Sequence, residues 1–138
     1  MNEATLKQSF ETAAKAVTGT DSVASVKMLK DGNFKVSIDV GNKENAHAFP
    51  KIVDAAVMIK KGKNVDAAGA QVKEVAAAYK IKAAVADAPA EVGAAIDSIL
   101  AEDGGQWKIT TLEAARKGTA GIGELRPRTG KVNFFVTK

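Results

Sequence analysis

The first forty residues change from a helical to an alternating hydrophobic pattern, which predicts a helix followed by a β-hairpin. Residues 3–18 carry apolar side chains at helical spacing on one face, and Gly19 follows as a helix stop. Val23–Lys30 and Asn33–Val40 then flank Asp31-Gly32, a dipeptide typical of two-residue hairpin turns. The second strand alternates between apolar and polar residues, so we expect one buried face and one solvated face.

The next segment predicts a loop and then a helix. Residues 41–48 are polar and are interpreted as a loop that contains His47, the only histidine. Pro50 suits the first turn of the helix that follows, because its missing N–H has no partner there in any case. Lys60-Lys61-Gly62 supplies a basic last turn and a helix stop.

The middle of the chain is rich in alanine and predicts further helices. Asn64 or Asp66 is placed to cap a helix that reaches Tyr79. Residues 81–86 fit either a short strand or more helix. Another helix begins near Pro89 and ends before Gly104-Gly105.

The last third returns to strand patterns. Gln106–Leu112 and Lys131–Thr137 predict two strands, and in the second of them Phe134 faces the core while Phe135 faces the other way. Residues 113–130 form a long, glycine-rich connection, which we call the basic arm and expect to be flexible. We therefore predict one α+β domain over residues 1–138. It has an N-terminal helix, a β-hairpin, an Ala-rich helical middle and a C-terminal antiparallel strand pair joined by the arm, and helices cover one face of the sheet.

Charge is distributed unevenly along this chain. Residues 1–103 contain 13 Lys, no Arg and 14 acidic residues, whereas residues 104–138 contain seven Lys or Arg and two Glu. All three arginines lie in that final segment, together with Trp107 and the pair Phe134-Phe135. Clustered Arg beside aromatic residues is typical of surfaces that meet phosphate, because the guanidinium fork matches phosphate oxygens and stacks on flat rings.

The candidate binding residues follow from this cluster. Glycine lets a backbone approach a phosphate closely, and the neighbouring cations supply the attraction. An outward Phe135 can stack on a base or fill a dimer interface. The predicted nucleic-acid-binding residues are Arg116, Lys117, Arg126, Arg128, Lys131 and Phe135.

One short resemblance supports this interpretation. The sequence Pro127-Arg128-Thr129-Gly130-Lys131 resembles the basic turn in the DNA-clasping arms of HU-like proteins. Those chains carry a helix after the arm, whereas a strand is predicted here, and the preceding 100 residues do not match, so no family is assigned. A helix-turn-helix over residues 71–81 is a weaker alternative, because the usual turn glycine is absent.

The sequence offers little for catalysis. There is no cysteine, a single histidine and no paired-carboxylate motif, so we expect no catalytic residues, no metal ligands and no cofactor. The favoured hypothesis is a non-enzymatic nucleic-acid-binding protein. The alternative is a structural or interaction protein, such as a virion component or an inhibitor, whose arm docks on an acidic protein surface. We expect no membrane partner, a cytoplasmic or virion-associated location, and possible homo-oligomers.

Overall fold

A computed structural model describes residues 1–62, 66, 70, 88–111 and 129–138. Several predicted segments lie outside these residues. They are the helix predicted after Asn64 (apart from positions 66 and 70), the ambiguous segment 81–86, the helix-turn-helix alternative, and residues 112–128, which include most of the arm. The described elements are α1 (Glu3–Thr18), β1 (Ala24–Met28), β2 (Phe34–Asp39), α2 (Lys43–Lys60), α3 (Ala88–Ala101), a 3₁₀ turn (Glu102–Gly105), β3 (Lys108–Thr111) and β4 (Lys131–Thr137).

The first helix forms where its hydrophobic pattern predicts. The Asn2 side chain caps α1 by accepting a hydrogen bond from the Ala4 N–H at 2.7 Å. The chain leaves the helix at Gly19, whose N–H donates to the Lys15 carbonyl at 2.8 Å. The buried face of α1 consists of Leu6, Ser9, Phe10, Ala13, Ala14 and Val17.

All four described strands form one antiparallel sheet, in the order β1-β2-β4-β3. The predicted α+β fold and the predicted antiparallel pairing are therefore confirmed. The last strand is internal, because β4 lies between β2 and β3. This position makes β4 the strand that joins the N-terminal hairpin to the rest of the sheet.

The hairpin is confirmed, but its turn is longer than the two residues expected. Leu29 N–H donates to the Asn33 carbonyl at 2.7 Å, and Gly32 N–H donates to the Leu29 carbonyl at 3.1 Å. The loop therefore contains three residues, with Gly32 alone at positive φ (83°). A two-residue type I′ turn would require positive φ at Asp31 as well, whereas a three-residue loop needs it only at the glycine.

The prediction of a loop over residues 41–48 was wrong, because α2 begins at Lys43. Asn42 caps this helix by accepting a hydrogen bond from the Asn45 N–H at 2.8 Å. Pro50 lies inside the helix rather than in its first turn. Pro50 cannot donate a hydrogen bond of the helix interior, and the burial of Ala46, Ala48 and Phe49 stabilises the part of the helix that precedes it. His47 is consequently a half-buried helical residue and not a loop residue.

The three described helices lie on one side of the sheet. α3 packs against α1 and α2, while α1 contacts β1 and β2 and α2 contacts β3 and β4. The ring of Phe134 in β4 lies at the centre, 4.8 Å from the Phe10 ring and 5.4 Å from the Phe49 ring. Such aromatic contacts add to the stability that burial itself provides.

Side-chain hydrogen bonds connect the start of β1 to α1. The Glu11 carboxylate accepts hydrogen bonds from the Lys7 ammonium and, at 2.9 Å, from the Ala24 N–H. Lys7 also donates to the Ala24 carbonyl at 3.2 Å. The hydrogen bond from Lys7 and then that from Ala24 hold the pKa of Glu11 below its ordinary value. Glu11 and Lys7 thus bind both backbone polar groups of the first residue of an edge strand.

The end of the arm is held against the loop between β2 and α2. The Gly130 carbonyl accepts a hydrogen bond from the Val40 N–H at 2.8 Å. A Cβ on Gly130 would stand 2.6 Å from Asp39 Oδ1 and 2.8 Å from the backbone nitrogens of Gly41 and Asn42. Only glycine fits this close approach of two backbones.

We expect Gly130→Ala to lower the free energy of unfolding by about 2 kcal/mol, because the added methyl group meets backbone atoms that cannot move aside. Urea denaturation measures the decrease. Gly32→Ala is the control, since a Cβ there meets open space. It should cost only the strain of positive φ, about 1 kcal/mol. Equal stability of Gly130→Ala and the parent would contradict the close packing.

We expect Glu11→Gln to destabilise the protein by roughly 1 kcal/mol at neutral pH, because the charged hydrogen bonds to Lys7 and Ala24 weaken. The pKa of Glu11 is lower in the folded state than in the unfolded state. The carboxylate therefore contributes its full share to the free energy of unfolding above the ordinary glutamate pKa of about 4.3. This contribution is lost as the pH falls through the lower folded-state pKa. The stability difference between parent and variant should therefore shrink in acid. Urea curves at a series of pH values test this, with Asp54→Asn on the exposed side of α2 as control.

Candidate nucleic-acid interface

The structure describes two of the six predicted binding residues. Arg116, Lys117, Arg126 and Arg128 lie outside the described part of the chain. Lys131 is the exposed first residue of β4, and Phe135 is half-buried in the same strand. Because strand side chains alternate, both project from the face of the sheet opposite to Phe134. This is the face that the described helices leave uncovered.

We call this surface the outer face. Its chemistry follows from the strand register, because each residue on it pairs with another residue of the same face. It is polar and cationic, with four lysines, one aspartate and one aromatic ring. Its members are Ser25 and Lys27 in β1, Lys35, Ser37 and Asp39 in β2, Lys108 and Thr110 in β3, and Lys131, Asn133, Phe135 and Thr137 in β4.

One row crosses the whole sheet and contains the aromatic ring. Lys27 pairs with Lys35, Lys35 pairs with Phe135, and Phe135 pairs with Thr110. Neighbouring strands lie about 4.8 Å apart, so Lys35 is adjacent to the ring and Lys27 is one strand further away. Lys108 is the diagonal neighbour of Phe135 on the other side, because Lys108 pairs with Thr137. Lysines therefore flank Phe135 on both sides.

Lys27 and Lys35 form a cross-strand pair of like charges. Directly opposite residues have Cβ atoms about 5 Å apart, a separation at which two ammonium-bearing side chains repel each other. The long side chains relieve part of this repulsion by spreading into solvent. An anion bound between them would relieve the rest.

The other end of the outer face is partly neutralised. Asp39 pairs with Lys131 across β2 and β4, and its Oδ1 accepts a hydrogen bond from the Gly41 N–H at 2.9 Å. Beside this pair, the Ser37 hydroxyl donates to Asn133 Oδ1 at 2.7 Å. Positive charge is therefore strongest around Phe135 and less strong near the end of the arm.

Two of the aromatic residues near the basic segment belong to the core. Phe134 is fully buried, and Trp107 is only 3% exposed and lies 5.8 Å from the Phe34 ring. The expectation that clustered aromatics form a phosphate-binding surface therefore applies to Phe135 alone among these three rings.

Trp107 instead organises the corner between α3 and β3. Its indole Nε1–H donates to Asp103 Oδ2 at 2.7 Å, and the Lys138 ammonium lies 5.1 Å from the indole ring centroid and 3.7 Å from the same carboxylate oxygen. The hydrogen bond from Trp107 and, to a lesser degree, the charge of Lys138 lower the pKa of Asp103. We interpret this cluster as structural.

Sequence reasoning missed Lys27, Lys35 and Lys108 as candidate binding residues. Side chains alternate between the two faces along every strand, and this alternation places Lys35 on the solvated face of β2. Alternation in β1 and β3 likewise places Lys27 and Lys108 on the solvated face of their strands. What the sequence lacks is the strand order, because only the position of β4 beside β2 brings Lys35 next to Phe135.

Other chemistry is sparse in the described residues. Within residues 1–62, 88–111 and 129–138, no group of three or more His, Asp or Glu side chains is arranged to hold a metal ion. No helix in that part of the chain combines the length and the apolar character needed to cross a membrane.

Comparison with known proteins assigns no family. No family model matches the chain, and no curated protein or solved structure matches it.

We expect Lys27→Glu to raise the free energy of unfolding by about 0.5 kcal/mol at low salt, because an opposite-charge pair with Lys35 replaces a repulsive one. Lys30→Glu in the hairpin loop makes the same change of charge without facing Lys35 and is the control. Urea denaturation at low and high NaCl concentration measures both variants. An increase in the free energy of unfolding that is the same for the two variants, or that persists at high salt, would contradict the charge interaction between positions 27 and 35.

Proposed function

We propose that this chain is a non-enzymatic nucleic-acid-binding protein. The observation that carries the proposal is the outer face, where Phe135 has lysine neighbours in β2 and β3. Two further lysines and one aspartate lie on the same face, and no described helix covers its strands. Repeated phosphates are the ligand that such a surface suits best, because each neutralised phosphate releases condensed counterions.

The basic arm is attached to the sheet that carries the outer face. Thr111 at the end of β3 pairs with Phe134, and Lys131 at the start of β4 follows Thr129 and Gly130, so both attachment points of the arm are at the same end of the sheet. Arg126 and Arg128 precede Lys131 by five and three residues in the sequence. A polyanion on the outer face would therefore lie close to where the arm leaves the sheet.

The residue types support affinity without strong sequence preference. Arg and Lys contacts to phosphate position a nucleic acid but carry no base information. The candidate set has one aromatic residue, and stacking on an aromatic ring is tolerant of base identity. We therefore expect binding of moderate strength that depends steeply on salt.

The second candidate function is that of an interaction protein that docks on an acidic protein surface, as a virion component or an inhibitor. The observation in its favour is that two apolar residues at the two ends of β1 are exposed, Val23 at 74% and Met28 at 55%. Edge strands with exposed apolar residues are frequent sites of protein association. These two residues do not account for the lysines around Phe135.

The proposal is tested with fluorescently labelled single-stranded and double-stranded DNA and RNA over a series of salt concentrations. Replacing both Arg126 and Arg128 by Ala should weaken binding to all sequences and lower the slope of log affinity against log salt by about one unit for each phosphate that is no longer bound. Substituting Lys at both positions should restore only part of the affinity, since an ammonium lacks the bidentate fork. Folding stability should hardly change.

The control for this experiment is Lys60→Ala with Lys61→Ala, which removes two positive charges at the end of α2. Lys60 pairs with Asp97 at 3.2 Å in the helical layer, which is on the other side of the sheet from the outer face. The double lysine variant should affect binding less than the arginine changes. Absence of binding by the parent at low salt would exclude the proposed function. A larger effect of the lysine control would move the site to the helices.

A further inference from the structure

We infer that the outer face is a site for single-stranded nucleic acid, in which Phe135 stacks on one base while Lys35 and Lys108 contact the phosphates on either side. This inference rests on the proposed function and specifies its ligand. It places the main contact on a sheet surface, whereas the sequence alone pointed to the arm.

The position of Phe135 is the first step. β4 is an internal strand, so the ring has strands on both sides, with Lys35 across one pairing and Thr110 across the other. The ring is half-buried among these neighbours, which restricts its motion and leaves part of it open to solvent. A ring held in this way loses little conformational freedom when a base covers it.

The arrangement of charge is the second step. Lys35 lies next to the ring in β2, Lys27 continues the row in β1, and Lys108 is diagonal to the ring in β3. Diagonal neighbours on a sheet are about 7 to 8 Å apart, within reach of long side chains. Cations thus occur on two sides of a central aromatic residue. This arrangement suits a single-stranded nucleic acid in which one base stacks on the ring and the phosphates on either side of that base meet the cations.

The preference for single strands follows from the geometry of base stacking. In a duplex, neighbouring base pairs cover the faces of each base, and only the edges are accessible in the grooves. A ring on a sheet surface can reach a base face only when that base is unstacked, which single strands permit at little cost. A duplex would meet the lysines alone and would gain nothing from Phe135.

The inference is tested by changing Phe135 and measuring the binding of labelled oligo(dT) and of a labelled duplex of the same length. Phe135→Ala should lower affinity for the single strand by about tenfold or more, because the base no longer stacks. Affinity for the duplex should change by less than about twofold, since the duplex meets only the lysines. The salt slope for the single strand should stay unchanged. Lys27→Ala with Lys35→Ala should instead reduce that slope by about 0.7 for each phosphate that is no longer neutralised.

Phe135→Trp is the variant that separates stacking from a structural role. It should bind oligo(dT) at least as well as the parent, and the added indole should lose fluorescence when a base stacks on it. The native Trp107 is only 3% exposed on the other side of the sheet, so its emission should not respond. Met28→Ala, which removes an exposed apolar side chain from β1, is the matched control and should bind as the parent does.

The outcomes distinguish this inference from the proposed function. If the parent binds neither nucleic acid, both fail. If the parent binds but Phe135→Ala binds the single strand equally well, or weakens single-strand and duplex binding to the same extent, this inference fails while the proposed function stands. If Phe135→Ala instead converts a dimer to a monomer in sedimentation velocity and leaves binding unchanged, the outer face joins two copies of the chain and the inference fails.

Discussion

The ring of Phe134 is the contact on which the rest of the structure depends. It packs against Phe10 of the first helix and Phe49 of the second, with ring centroids 4.8 and 5.4 Å away. This cluster brings the last strand of the chain under the first helix and fixes β4 inside the sheet. Two of the described helices and the internal strand β4 meet at these three rings. They are three of the five aromatic residues in the buried cluster of the described residues, and valine, isoleucine and alanine supply most of the rest.

The same contact decides the orientation of the candidate site. Successive residues of a strand point to opposite faces, and a shift by one residue would exchange them. Since Phe134 is held in the core, Phe135 must lie on the outer face, and Lys131 and Asn133 must lie there with it. The core therefore positions the candidate interface without contacting it. This relationship also explains why two adjacent phenylalanines have different environments, one fully buried and the other half-buried.

The outer face combines features that are unfavourable for stability with features that suit a ligand. Lys27 and Lys35 repel each other across the strands, and Phe135 keeps part of an apolar ring in contact with water. The stable contacts of the fold are elsewhere, at Glu11 with Ala24, at Trp107 with Asp103 and at the close approach of Gly130 to Gly41. The contacts that stabilise the fold and the candidate interface therefore lie in different parts of the structure.

The sequence by itself determined the elements whose cause is local. The helical spacing of α1, the hairpin around Gly32 and the alternation in β4 each arise from neighbours within a few residues, so their existence and buried faces could be predicted. The beginning of α2 was missed, because the Asn42 cap and the buried Ala46 outweigh the polar composition that suggested a loop. Only the tertiary structure decided the strand order, since pairing Lys35 with Phe135 joins residues 100 positions apart, and no local pattern records which strands become neighbours. That pairing turns scattered surface lysines into a cationic surface around one aromatic ring.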